Sequence, residues 1–164
     1  MIQRIQSVYL AIVSILSLVS LFFTIGRYAL ETGDVVASFT NFTFTAEAAP
    51  FTDASGMASP WALSVLLIVA ALVNIVCILV FNHRKVQQRL AVFSTLLLFG
   101  YVCVYAFYAW GYASALALIL PEANVQFAPQ LSAIWPVISI ILNLLAIRGI
   151  RKDEALIQSL NRLR

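Results

Sequence analysis

Residues 60–112, PWALSVLLIVAALVNIVCILVFNHRKVQQRLAVFSTLLLFGYVCVYAFYAWGY, decide the fold. Two long apolar runs flank the polar octapeptide NHRKVQQR. A membrane-spanning helix needs about 20 mostly apolar residues, and each run meets that length. The octapeptide carries Arg84, Lys85 and Arg89, the kind of basic cluster that stays on the cytoplasmic side of a membrane. Ser59 and Pro60 supply a cap and a favoured first residue for the second helix. The stretch therefore predicts a pair of antiparallel transmembrane helices with a basic turn.

Two further runs lie outward from this pair. Ile5–Ile25 is longer than a signal-peptide core and has no small-x-small cleavage site after it, so it reads as a retained anchor. Leu131–Ile147 is shorter and can continue through Gly149 into the charged end. The chain of 164 residues is 62% hydrophobic and only 10% charged. A soluble domain carries about 25% charged residues, so this chain is expected to be an integral membrane protein. The expected fold is all-α over a single domain, residues 1–164. It has four transmembrane helices at about 5–25, 60–82, 90–112 and 131–150, an outer loop over 26–59 and a cytoplasmic tail over 151–164. A small β-hairpin in the first outer loop and a C-terminal amphipathic helix complete it.

Charge sorting supports the helix count. With four spans, Arg4, the second-to-third connection and the C-terminal end share one side and hold nine of the ten basic residues; only Arg27 lies opposite. The opposite loops hold Glu31, Asp34, Glu47, Asp53 and Glu122. The positive-inside rule then places both termini in the cytoplasm. Trp61, Trp110 and Trp135 all fall at the outer interface, where an indole is favoured. The net charge of +3 is accounted for by these flanks, so no nucleic-acid partner is expected. Cys77 and Cys103 sit at different depths in apolar runs, and no disulfide is expected.

The outer loop begins RYALETGDVVASFTNFTFTAEA, which reads as strand, turn, strand, with Glu31-Thr32-Gly33-Asp34 at the turn. A lone hairpin is marginal, so Phe39, Phe42, Phe44 and Phe51 are expected to bury against the helix ends. The second outer connection is open to two readings. Helix three either breaks near Gly111 or runs on to Leu120, which would make it about 46 Å long from Leu90.

Asn74 and Asn143 are the most polar residues inside helices two and four. An interhelical hydrogen bond between these two helices is the simplest expectation for buried amides in lipid; a mid-membrane ligand or ion site is the functional alternative. Tyr101, Tyr105, Tyr108 and Tyr112 share one face of helix three. The first two need hydroxyl partners, with Asn74, Asn143 and serines as candidates. The structural reading of this stripe is core packing plus an aromatic belt; the functional one is a lipid or quinone pocket. No ionisable residue accompanies the asparagines, which argues against a transporter. His83 stands in the basic turn without an orienting carboxylate, and no nucleophile elbow, Walker motif or zinc-protease motif is present. No cofactor is expected. Asn41-Phe42-Thr43 matches a glycosylation sequon and reads as accidental.

The chain ends IRGIRKDEALIQSLNRLR, residues 147–164, with seven charged residues of eighteen. Leu156, Ile157, Leu160 and Leu163 form an apolar stripe at helical spacing. Arg151 and Lys152, with Arg148, would meet anionic head groups. The stretch reads either as a stop-transfer anchor or as a docking helix for a partner.

The opening MIQRIQSVYL, the loop NHRKVQQRL and the closing AIRGIRKDEALIQSLNRLR resemble a bacterial family of four-helix membrane proteins, the domain of unknown function 4293. The resemblance covers essentially the whole chain. It implies a bacterial inner-membrane location and brings no activity and no catalytic residues. The expected function is that of a non-enzymatic accessory, assembly or interaction subunit of an envelope complex. Membrane lipids and an unidentified membrane protein are the candidate partners. The alternative is a lipid- or quinone-binding protein built on the Tyr101/Tyr105 stripe.

Overall fold

The computed structural model describes residues 2–31, 33–46, 58–80, 83–119 and 125–162. Four helices carry most of the chain: α1 (Ile2–Ser20), α2 (Trp61–Leu79), α3 (Arg84–Ile119) and α4 (Trp135–Arg162), the last entered through a single 3-10 turn, Leu131–Ile134. α1 and α3 each pack against both α2 and α4, which leaves α2 and α4 diagonally opposed. α2, α3 and the Leu131–Ala155 segment are long and apolar enough to cross a membrane; Ile5–Ser20 is a shorter apolar helix. Large apolar side chains also face outward, among them Leu72, Phe99, Phe107 and Ile141, each more than half exposed. Small polar residues (Ser14, Ser17, Ser94, Ser139, Asn143) are buried between the helices. That distribution suits an apolar solvent, in which polar groups must be satisfied inside the protein.

The helix boundaries differ from expectation in three places. α1 stops at Ser20, not Ile25. Leu21, Phe22 and Phe23 bond back to the carbonyls of Leu18, Val19 and Ser20, tightening the last turn, and the Asn41 Nδ2 donates to the Ser20 carbonyl at 2.8 Å. The next residues are claimed by a sheet, where Ile25 N–H donates to the Phe39 carbonyl. α3 begins at Arg84 rather than Leu90, and of the two readings open at its other end it takes the longer, passing Gly111 without a break. Its 36 residues span about 54 Å. Leu116, beyond that glycine, lies in the main core, so tertiary packing holds the extra turns. α4 is one continuous helix through Gly149, so the charged end is not a separate amphipathic helix. Pro136 is tolerated because the first turn needs no intrahelical N–H partner. Ser59, expected as a cap for α2, donates instead to the Phe42 carbonyl at 2.5 Å.

The expected hairpin forms as β1 (Gly26–Leu30) and β2 (Val35–Phe39), with Gly33 at φ 92° in the turn, where a β-carbon would be strained. It belongs to a larger sheet. β3 (Phe44–Ala46) adds to β2, and β4 (Val125–Pro129), from the second connection, pairs antiparallel along the whole of β1. The order β3-β2-β1-β4 therefore joins the two connections at one end of the molecule. Phe39 is fully buried and Phe44 packs against the core. Phe42, expected inside, is 45% exposed because it occupies the tight turn Thr40–Thr43. Phe51 lies outside the described residues.

Candidate functional site

The tyrosine stripe of α3 meets the underside of the sheet. The Tyr101 hydroxyl donates to Asn41 Oδ1 at 2.8 Å, and Tyr105 donates to the Ile25 carbonyl at 3.1 Å. From the sheet, the Tyr28 hydroxyl returns to the Ala109 carbonyl at 2.7 Å. The rings interlock: Phe44 and Tyr112 have centroids 4.5 Å apart, Tyr28 and Phe127 5.2 Å, and Phe39 and Tyr105 5.8 Å. Burial, with Tyr105 and Tyr112 nearby, pushes the Tyr28 phenol well above its ordinary range, so it remains a donor through neutral pH. These hydroxyls are structural ties between sheet and helix.

This corrects the partners expected for the stripe. Tyr101 and Tyr105 bond to neither Asn74 nor Asn143. Asn41 is the residue the sequence reading missed. It is fully buried and uses both ends of its amide, accepting from Tyr101 and donating to Ser20. Its one local signal, the Asn-x-Thr sequon, points to exposure, and the burial rules out glycan attachment in this fold.

The hydrogen bond expected between α2 and α4 at these asparagines does not form, because the two helices are diagonal rather than adjacent. Asn143 Nδ2 instead donates to Ser94 Oγ on α3 at 3.1 Å. Both Asn74 amide atoms, Asn143 Oδ1 and Ser139 Oγ are buried without a protein hydrogen-bond partner. Such groups cost about 1–3 kcal/mol each when left unsatisfied. They are neutral polar groups at separate places on α2 and α4, and none of them can perform acid–base work at neutral pH.

At the far end from the sheet, α1 and α4 are pinned by Gln6 Nε2 donating to Asp153 Oδ2 at 2.7 Å, both residues being buried. Gly149 permits the approach, since a β-carbon there would lie 2.9 Å from Gln6 Cγ. Neither Gln6 nor Asp153 stood out in the sequence; Asp153 looks like part of a solvated charge run. Arg151 and Lys152 are exposed beside this pin, as is Arg148. The backbone of α4 carries on through Leu156 and Leu160, whose side chains lie outside the described residues. Cys77 and Cys103 are free thiols, and Cys77 Sγ donates to the Gln87 carbonyl at 3.2 Å.

Among the described residues, no group of three or more His, Cys, Asp or Glu side chains is placed to hold a metal ion. No curated protein matches the chain. The family model for the domain of unknown function DUF4293 matches residues 2–163, and by that match, end to end along the four helices and the sheet, the chain belongs to this family.

Proposed function

We propose that this protein is a non-enzymatic, multi-pass protein of the bacterial inner membrane, an accessory, assembly or interaction subunit of an envelope complex. In this reading α1 is a fourth crossing helix and both termini are cytoplasmic. The observation that carries it is α4. Its 28 residues extend about 42 Å, beyond the ~30 Å hydrocarbon core, and bear exposed Arg148, Arg151 and Lys152. The Gln6–Asp153 pin braces the base of that extension. A braced, charged helix standing off a membrane suits recognition of another molecule. Affinity capture of the full chain in mild detergent, after crosslinking in cells, tests the reading. A specific partner lost on reversing the charge at Arg151 and Lys152, with insertion intact, supports it. Recovery of the protein alone under several crosslinkers refutes it.

A lipid- or quinone-binding role has one observation in its favour. An apolar groove of about 570 Å³ runs along Ala106, Ala109 and Ala113 of α3, walled by Tyr105, Trp110 and Phe127. Small residues on its floor and rings on its sides suit an isoprenoid or acyl tail. Ala106→Trp, at an exposed position, should fill the groove and abolish retention of such a molecule in native mass spectrometry.

A further inference from the structure

α3 and α4 run antiparallel, tied by the Asn143–Ser94 hydrogen bond. Toward the basic end, the apolar run of α3 begins at Leu90 and that of α4 ends at Ile147, each four residues from this tie. The polar boundary of a membrane would therefore cross both helices at one level. The headgroup layer beyond such a boundary is about 5–7 Å thick. Arg89 and Lys85 fall about 1.5 and 7.5 Å past Leu90, within it or at its edge. Glu154 falls about 10 Å past Ile147, just outside it. A cleft of about 430 Å³ lies here, lined by Val92, Arg89, Gln88, Lys85 and Glu154. Residues 85, 88, 89 and 92 share one face of α3.

The order of these residues along the membrane normal repeats the order of groups in a phospholipid. Val92 stands at the acyl and glycerol level. Arg89 and Lys85 bracket the phosphate level, with the Gln88 amide between them, and Glu154 stands where the headgroup ends. Two cations suit one phosphodiester, and a Lys or Arg near the surface attracts anionic groups. The carboxylate of Glu154 has several acceptor sites and favours a headgroup that ends in hydrogen-bond donors. We propose that this cleft binds one glycerophospholipid, with its phosphate between Lys85 and Arg89 and a terminal ammonium or hydroxyl donating to Glu154. Phosphatidylethanolamine and phosphatidylglycerol meet that requirement. Phosphatidylcholine, whose quaternary nitrogen has no N–H, does not. The assignment rests on the membrane placement of the helices made in the proposed function and does not need a protein partner.

The test is native mass spectrometry of the delipidated full-length protein, offered phosphatidylethanolamine, phosphatidylglycerol, phosphatidylcholine or inorganic phosphate in turn. One ethanolamine or glycerol lipid should be retained per chain, in preference to the choline lipid. K85Q/R89Q, at two exposed positions, should weaken retention about thirtyfold, the effect of two charge contacts. E154Q should bring the three lipids close to parity. Inorganic phosphate should not displace the lipid. Undiminished retention in K85Q/R89Q, equal retention of the choline lipid by the unaltered protein, or displacement by inorganic phosphate would each overturn the assignment. Partner capture with the same variants separates the two claims. Lipid selectivity without any captured partner removes the interaction reading alone. Loss of the partner with lipid retained makes the cleft a protein contact and removes this assignment alone.

Discussion

Replacing Asn41 with alanine tests how the sheet is fastened to the helices. Asn41 accepts from Tyr101 and donates to the last carbonyl of α1, with all three groups buried. The substitution strands the Tyr101 hydroxyl, which costs about 1–3 kcal/mol, and removes the Ser20 bond, worth about 1 kcal/mol net. A loss of roughly 2–4 kcal/mol is expected, a large share of an ordinary domain's stability. Tyr101→Phe alone should cost about 1–2 kcal/mol, since Asn41 still holds Ser20. Because the phenylalanine ring leaves no hydroxyl to strand, the double variant should be less destabilised than the sum of the singles by about 1–2 kcal/mol. Equilibrium unfolding in mixed micelles, followed by tryptophan fluorescence, measures all four proteins. Additive effects, or an Asn41→Ala loss below about 0.5 kcal/mol, would refute the reasoning, because buried partners that share a bond must couple.

Gly149→Ala should destabilise the protein by about 1–3 kcal/mol through overpacking against Gln6, and Gln6→Ala should relieve most of that increment in the same unfolding assay. Asn74→Leu should be neutral or stabilising by about 1 kcal/mol, since its amide has no protein partner, whereas Asn143→Leu should cost about 1–2 kcal/mol by stranding Ser94; equal losses in thermal unfolding would contradict this. The raised pKa of Tyr28 makes stability depend on alkaline pH. Its contribution is complete below the unfolded phenol value of about 10 and is lost as pH rises from there through the higher folded value, so stability should hold to about pH 9 and then fall. Tyr28→Phe should flatten that alkaline limb, and an unchanged pH profile would exclude Tyr28 as its source.

The parts legible in the sequence are those with a local signature. The apolar lengths of the runs announced the helices, and the Glu31–Asp34 turn between β-rich flanks announced the first hairpin. Local signals failed where a distant residue took over. Thr24 and Ile25 continue an apolar run and read as helix, yet Ile25 donates to the Phe39 carbonyl. Val125–Pro129 has no pattern of its own and becomes a strand because β1 offers it an edge. The tyrosine stripe was visible as a stripe, but its partners were not, since they come from residues 41 and 25, which are 60 and 80 positions away.

The sequence by itself determined the length and composition of the apolar runs: segments of about 20 apolar residues suit helices whose backbone bonds close within each segment. Tertiary structure alone decided which helices are neighbours. That choice put α2 diagonal to α4, denied Asn74 the partner expected for it, and gave Asn143 to Ser94. It also buried Asp153 against Gln6 across 147 residues of chain. Hydrogen bonds of this kind depend on which side chains the packing brings within about 3 Å, and spacing along a chain carries no record of that distance.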